Sequence, residues 1–390
     1  MLEKMFHTAR RCLLRARRPP WRASSPSSPF STSTGAASAG GSASGSAAGD
    51  DAARDDAECE RLVKTFDYEH YLSLMFLAPA RRRAALAVRA YNVELATVRD
   101  SARGNALTGR IRFQFWREIL EEIYAAGRAG GAPGEGARVH HPVGRALARA
   151  VRDHGLQRRW LDRMLVAREQ ELDNVEFGDM GDFEEYAEAV GGSMMYLVLE
   201  CATDANSGGG GGGGGPSGAM SRGGGGGCGQ GPFDAQLNTP SANAAGEDAA
   251  YMAAGHVGRA ATMVTMLRSV PHTAENSQRF TLPFWVMSKH SVRREDFLTG
   301  QSTAEMRDCV LEVATVANNQ LIDVREMQGG VDEATSRALL PATLAQDYLK
   351  RLEGCDFDVF DPSLIRSRVD NVKLMVQLWR LQSQGKLMAD

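Results

Sequence analysis

The chain has 390 residues, a formal net charge of -3 and 24% charged residues. Proteins that neutralise a nucleic-acid backbone carry an excess of Lys and Arg, so this balance argues against a nucleic-acid partner. The six cysteines are scattered without a CxxC pair, which argues against a zinc site or a disulfide framework. The sequence contains no uncharged apolar run of about 18 residues, the length of a membrane-crossing helix. We therefore expect a soluble or peripheral protein.

Residues 1–49 have the composition of an organellar transit peptide. Six arginines supply positive charge, Glu3 is the only acidic residue, and Ser and Thr crowd residues 24–46. Because the arginines begin so early, a mitochondrial presequence is favoured over a plastid one. We predict a cleaved presequence and a mitochondrial matrix location, followed by an acidic linker at residues 50–66.

Residues 205–248 form a second stretch of unusual composition, with unbroken glycine runs at residues 208–215 and 223–227. Glycine runs bury nothing that offsets the backbone entropy lost on ordering. A phosphate-binding loop would need a strand before the glycines, a helix after them and a Lys-Ser/Thr pair, and none of these is present. The stretch is predicted to be a disordered insert.

Apolar spacing in the rest of the chain predicts helices, and no convincing alternating strand is found. A helix is expected from about Ala80 to Ala102, and another from Pro142 to a stop at Gly155. Three more stripes are given by Leu161, Leu165, Leu172; by Phe183, Tyr186, Val190, Met194, Leu197, Cys201; and by Met306, Val310, Val313, Ala317, Leu321, Val324. Gly191 and Gly192 interrupt the second of these stripes, which suggests a close helix approach or a cavity wall.

Several blocks in a fixed order resemble the squalene/phytoene synthase family. They are residues 67–71, 77–79, 89–91, 115–118, 141–156, 258–270 and 355–360. The resemblance covers nearly the whole of residues 67–382, apart from the glycine insert. It implies an all-α isoprenoid synthase fold in a single helical domain.

Active members of that family carry two aspartate-rich motifs that hold magnesium ions, which bind and ionise a prenyl diphosphate. The family's first motif reads roughly Asp-Asp-x-x-Asp, whereas residues 96–100 read Ala-Thr-Val-Arg-Asp. Only Asp100 keeps a carboxylate there. Asn92, Ala96 and Asp100 are expected to share one helix face.

The second motif has lost every carboxylate. The family's Asn-Ile-Leu-Arg-Asp becomes Thr-Met-Leu-Arg-Ser at residues 265–269, and the acidic pair that follows becomes His272-Thr273. Neutral hydroxyls are weak magnesium ligands, so the ionisation step is expected to fail. Arg268 keeps its family position, and anion binding or a structural hydrogen bond are both open for it. The resemblance thus marks relic cavity positions, with no catalytic residue and no cofactor expected: Asn92, Ala96, Asp100, Thr262, Thr265, Arg268 and Ser269.

Residues 89–96, 113–116, 168–173 and 356–364 resemble a mitochondrial branch of the family, the complex I assembly factors. That resemblance implies a matrix protein peripheral to the inner membrane, whose partner is a complex I subunit or assembly intermediate. Two alternatives stay open. One is an active prenyl transferase that joins prenyl diphosphates head to head with unusual ligands, and the other is a protein that binds an isoprenoid or lipid in the inherited cavity.

Overall fold

The computed structural model describes residues 44–102, 105–128, 131–134, 136–173, 176–203, 245–276, 281–366 and 368–388. The chain divides into two units, Met1–Ser46 and Ala47–Asp390. Apart from residues 44–46, all of the described residues belong to the second unit. The predicted presequence falls almost entirely outside the described residues, as does the glycine insert up to residue 244.

The described residues form fourteen α-helices and no strand. In chain order they are α1 (Ser44–Phe66), α2 (Tyr68–Leu74), α3 (Pro79–Ser101), α4 (Ala106–Arg128), α5 (Pro142–His154), α6 (Arg158–Gln170), α7 (Met180–Ala187), α8 (Ser193–Ala202), α9 (Ala245–Asn276), α10 (Phe284–Lys289), α11 (Ala304–Met327), α12 (Glu333–Ala338), α13 (Pro341–Gly354) and α14 (Arg368–Ser383). A π-helical turn, Glu188–Gly192, joins α7 to α8. Short 3₁₀ turns lie at Glu171–Asp173, Arg294–Thr299, Gln328–Gly330 and Pro362–Leu364.

Local chemistry sets several helix ends where the sequence predicts them. Pro142 opens α5 at its first position, where the missing N–H costs nothing. Gly155 ends α5 in the left-handed region, with φ of 67°, and its N–H bonds back to Val151. Thr303 caps α11 by accepting a hydrogen bond from the Met306 N–H. The helices predicted for α3, α5 and α11 are therefore confirmed.

The helices pack around α3 and α9. α3 contacts α4, α5 and α8, while the long α9 contacts α8, α11, α13 and the π turn. Tyr91 of α3 is fully buried, stands edge-on to Trp116 at 5.2 Å, and donates a hydrogen bond to the Leu161 carbonyl at 3.1 Å. One connected apolar cluster runs from α1 to the C-terminal residues Leu387 and Met388. The predicted all-α class is confirmed by these helices.

Residues 50–66, predicted to be an acidic linker, are instead helical. Cys59, Leu62 and Val63 of α1 are buried in the main core. Asp55 is 1% exposed and accepts hydrogen bonds from Arg145 at 2.5 and 3.0 Å and from Arg149 at 2.9 Å. The segment thus packs as a helix and not as a linker, because its apolar side chains enter the core and Asp55 pairs with cations of α5 instead of water. The fold also extends past residue 382, since Leu387 and Met388 are buried.

Candidate functional site

The first row of relic positions lies on one face of α3. Ala96 and Asp100 are exposed, and Asn92 is half-buried. The Asn92 Oδ1 atom is buried and has no hydrogen-bond partner among the described residues. Partial loss of water around the Asp100 carboxyl, together with Glu171, raises its pKa against the opposing effect of Arg99. Loss of water therefore outweighs the attraction of Arg99 in setting the pKa of this carboxyl.

The second row lies on α9, and its hydroxyl groups bond to their own helix. Thr265 Oγ1 donates to the Ala261 carbonyl at 2.8 Å, and Ser269 Oγ donates to the Met266 carbonyl at 2.7 Å. Thr273 Oγ1 lies 3.1 Å from the Ser269 carbonyl in the same manner. Such bonds turn each hydroxyl proton back to the helix backbone. The row presents neutral hydroxyl oxygens to its surroundings and carries no charge apart from Arg268.

Arg268 is held by a carboxylate of the protein itself. Its Nη1 and Nη2 atoms donate to the two oxygens of Glu69, at 2.8 and 3.2 Å. Arg366, whose side chain is 8% exposed, donates to Glu69 Oε1 at 2.9 Å and to Asp347 Oδ2 at 2.5 Å. These four residues, which we call the Glu69 network, tie α2, α9, α13 and the segment before α14 together. Burial raises the pKa of Glu69, but the two arginines outweigh burial and lower it.

The Glu69 network bears on the two roles that the sequence leaves open for Arg268. A forked guanidinium bonded to both oxygens of one carboxylate is a strong, directional pair. The Arg268 Cζ atom also lies 5.6 Å from the Tyr348 ring centre. These contacts are those of a structural hydrogen-bonding role, and anion binding by Arg268 stays a prediction. Glu69 belongs to a block that the sequence singles out, but Arg366 carries no sequence signal for this contact.

A second buried ion pair involves Asp67, which lies two residues before Glu69 in the sequence. Arg89 is 3% exposed and donates from Nη1 to Asp67 Oδ2 at 2.8 Å, while His70 Nδ1 lies 2.6 Å from Asp67 Oδ1. Burial alone would raise the pKa of Asp67, yet His70 and Arg89 lower it to about 2. This pair fixes the entry of α2 against the middle of α3.

The residues at the relic positions do not fit a magnesium clamp for a diphosphate. Magnesium takes a near-octahedral set of hard oxygen ligands, and carboxylates supply the charge that such a site needs. The seven positions offer one carboxylate, one amide, one guanidinium and three hydroxyls. Within the described part of the chain, no group of three or more His, Cys, Asp or Glu side chains is arranged to hold a metal ion.

The two glycines that interrupt the α7–α8 stripe lie at a close backbone crossing. A Cβ atom placed on Gly191 would lie 2.1 Å from the Gly258 carbonyl oxygen and 2.1 Å from Thr262 Oγ1. A Cβ on Gly258 would lie 2.3 Å from the Gly191 carbonyl. Real Cβ atoms do not approach backbone this closely, so only glycine fits at positions 191 and 258. The predicted close helix approach is confirmed, and Thr262 lies beside this crossing.

A further polar cluster surrounds Glu188, the first residue of the π turn. Sequence reasoning did not predict it. Glu188 accepts from Arg259 Nη1 at 2.9 Å and from the Tyr196 hydroxyl at 2.8 Å. Arg259 also donates to Gln320 Oε1 at 2.7 Å, and this amide oxygen lies 2.8 Å from His256 Nδ1. The cluster joins the π turn, α8, α9 and α11. No motif spacing signals it, since its members are spread over much of the chain.

Comparison with known sequences places these features in a family context. The squalene/phytoene synthase family profile matches residues 63–374. A mouse protein, "NADH dehydrogenase (ubiquinone) complex I, assembly factor 6", is 33% identical over 324 residues, which cover 83% of this chain and 81% of the mouse protein. The human protein of the same name is 30% identical over 323 residues, with the same coverage.

Comparison with solved structures agrees on the fold. A dehydrosqualene synthase crystal structure matches with a TM-score of 0.63 and 18% identity, over 86% of this chain and 99% of that one. A squalene synthase from Alicyclobacillus acidocaldarius matches with a TM-score of 0.58 and 12% identity, over 79% and 96%. At such identities the likeness establishes the isoprenoid synthase fold alone. Taken with the profile match over most of the described helices, it shows that the chain belongs to the squalene/phytoene synthase family.

Proposed function

We propose that this protein is a non-catalytic complex I assembly factor of the mitochondrial matrix, peripheral to the inner membrane. The observation that supports this most strongly is the similarity, over 83% of the chain, to proteins named complex I assembly factor 6. The transit-peptide composition of residues 1–49 points independently to mitochondria. The proposed partner is a complex I subunit or assembly intermediate. No helix in the described residues is long and apolar enough to cross a membrane.

The geometry of the relic positions supports the absence of prenyl transfer. Ionising a diphosphate requires its negative charge to be compensated as the bond breaks. The α9 row offers Thr265 and Ser269 in place of carboxylates, and their protons bond to the helix backbone. Arg268, the cation of this row, is already paired with Glu69. We therefore propose that the seven positions are remnants of an ancestral diphosphate site.

A genetic experiment tests the assembly role. Cells that lack the protein are expected to lose assembled complex I on native gels, while the other respiratory complexes stay at normal levels. An Asp100→Ala rescue should restore complex I, because the proposed role does not need a metal site. A rescue without residues 1–49 should fail, since it lacks the proposed targeting signal. Normal complex I in the knockout would contradict the proposal.

A biochemical experiment tests the absence of catalysis. Purified protein incubated with magnesium and farnesyl or geranylgeranyl diphosphate is expected to release no diphosphate. A known dehydrosqualene synthase assayed in parallel provides the positive control. Magnesium-dependent turnover that disappears in the Asp100→Ala variant would instead identify an active prenyl transferase.

A further inference from the structure

A surface groove lies between α2 and α14. It has a volume of about 730 Å³ and is lined by Tyr68, Leu72, Asn371, Val372, Met375, Val376 and Trp379. Most of these side chains are apolar. We call this surface the α14 groove.

Helix α14 is apolar on two opposite faces. Leu374, Leu378 and Leu381 are at most 5% exposed and pack inward. On the other side, Val372 is 64% exposed and Trp379 is 63% exposed. A helix that only covers a core has one apolar stripe and turns polar residues to water. The outer apolar face thus has no partner among the described residues.

One cation beside the outer face, Arg380, is available for an external anion, and a second, Lys373, is held only by a long ion pair. Arg380 follows Trp379, is exposed, and has no hydrogen bond or ion pair from its side chain within the described part of the chain. Lys373 follows Val372, is 75% exposed, and approaches Asp370 only at 3.7 Å. Tryptophan next to Lys and Arg on an amphipathic helix is the combination that settles at an anionic bilayer surface.

Two other exposed apolar surfaces lack this combination. Phe284 and Trp285 of α10 lie beside cations that are already neutralised: Lys289 pairs with Glu312 at 2.9 Å, and Arg294 pairs with Glu176 at 3.3 Å. The exposed stripe Leu107, Ile111 and Phe115 of α4 carries no Trp or Tyr. Charge complementarity to an anionic surface therefore distinguishes the α14 groove from the α10 and α4 surfaces.

We propose that the α14 groove is the surface by which this protein binds an anionic lipid bilayer. Val372, Val376 and Trp379 enter the interface between headgroups and acyl chains, and Lys373 and Arg380 contact the headgroup phosphates. Asn371 Oδ1, also in the groove lining, is buried and has no hydrogen-bond partner among the described residues. The inference rests on the proposed peripheral location and names the face that provides it.

Fluorescence quenching tests the orientation directly. The full chain, in a Trp21→Phe background that removes the tryptophan of the predicted presequence, is mixed with vesicles of phosphatidylcholine and cardiolipin that carry brominated acyl chains. We expect quenching of tryptophan emission, which Trp379→Phe abolishes and Trp285→Phe, the matched control on α10, preserves. Quenching that persists in Trp379→Phe would overturn the proposal, as would its absence in the parent protein.

Vesicle flotation measures the energetic contribution of the same residues. Against phosphatidylcholine–cardiolipin vesicles, Arg380→Gln is expected to weaken binding roughly fivefold, and Trp379→Ala roughly tenfold. Vesicles of phosphatidylcholine alone should bind the parent protein far less. Because Trp379 and Arg380 are exposed, both variants should keep the parent's circular dichroism and melting temperature. Unchanged binding by both variants would refute the proposal.

Two further results separate this inference from other interpretations. If the parent protein is a dimer in solution and Trp379→Ala makes it a monomer, the groove is a self-association surface and the bilayer proposal is wrong. Vesicle binding by purified protein does not depend on complex I, so the two proposals can fail separately. If the parent protein binds no vesicles but restores complex I in the knockout, the bilayer surface alone is refuted.

Discussion

The relic rows and the contacts beside them differ in how their polar atoms are used. In the α9 row, Thr265 and Ser269 bond to carbonyls of their own helix. In contrast, Asp67 and Arg89 form a buried ion pair between helices, and the backbone of Gly191 lies against the backbone of Gly258. Other residue types could therefore replace Thr265 and Ser269 at little cost. The buried pair and the glycine crossing, in contrast, allow almost no substitution.

This difference indicates where the fold is constrained. The paired charges lie between helices, in the Glu69 network and around Asp67. The fold is thus maintained by contacts between helices and not by the hydroxyl groups of the α9 row.

The glycine crossing is expected to be the most sensitive of these contacts. Gly258→Ala should destabilise the protein by about 4 kcal/mol, because the added methyl overlaps backbone that cannot move without separating two helices. Replacing glycine by alanine inside a helix normally stabilises it, so the sign of the effect is diagnostic. Gly329→Ala is the matched control, since nothing lies within 4 Å of its Cβ position. Urea unfolding of both variants measures the difference, and equal stabilities would show that the crossing is not tight.

The Asp67–Arg89 pair is expected to rank second. Asp67→Asn leaves Arg89, which is 3% exposed, as a buried charge without its partner, and should cost about 3 kcal/mol. Asp51→Asn, which removes one end of the exposed Arg54–Asp51 pair, should cost less than about 0.5 kcal/mol. A loss of similar size in both variants would mean that burial does not strengthen the inner pair.

The same pair predicts a dependence of stability on pH. The pKa of Asp67 is lowered from 3.8 to about 2 in the folded protein. Because the folded value lies below the unfolded one, the pair contributes fully above about pH 4 and loses its contribution as the pH falls towards 2. The loss amounts to about 2 kcal/mol. Unfolding free energies of the parent and Asp67→Asn, compared at about pH 5 and pH 2.5, should converge by this amount at the acidic end. Parallel pH profiles for the two proteins would contradict the assignment.

The relic row should give the smallest effect. The double variant Thr265→Ala and Ser269→Ala is expected to change stability by less than about 0.5 kcal/mol, because alanine favours the helix and the bonds lost are local apart from one long contact, 3.4 Å, between Ser269 and Thr281. Thr343→Ala is the matched control, because this buried hydroxyl bonds to the distant Leu387 carbonyl at 2.8 Å and should cost about 1–2 kcal/mol. Thermal unfolding of both variants tests this ranking, which a larger loss in the double variant would reverse.

Sequence patterns predict the helices well where the terminating chemistry is local. Pro142 and Gly155 mark the ends of α5 correctly because a fixed φ and a left-handed residue act on their own neighbourhood. Residues 50–66 were misjudged because their acidic composition outweighed the apolar Cys59, Leu62 and Val63. Asp55 finds its cations on α5, about 90 residues further along the chain, and no spacing rule reports such a distance.

In the candidate site, too, the local features could be predicted from the sequence and the long-range contacts could not. The positions of Asp100 and Thr265 could be read from motif alignment, because each motif is a short block on one helix. The partner of Arg268 could not, since Glu69 and Arg366 come from distant segments and meet only through the packing of α2, α9 and α13. The π turn was also missed. Its glycine pair gives the same signal in sequence whether the helix breaks, bends or gains a residue.

That π turn has a consequence for which changes in chain length the protein tolerates. A π turn holds one residue more than the α-helical path, so removing a single residue from Glu188–Gly192 would let an ordinary helix form. The path of the chain into α8 would then be kept, so Met194, Leu197 and Cys201 would still face the core. A one-residue deletion inside α8 itself would instead rotate every later side chain of that helix by about 100° about its axis. The π turn is thus the place where the loss of one residue disturbs the packing of α8 least, as long as Gly191 stays opposite Gly258.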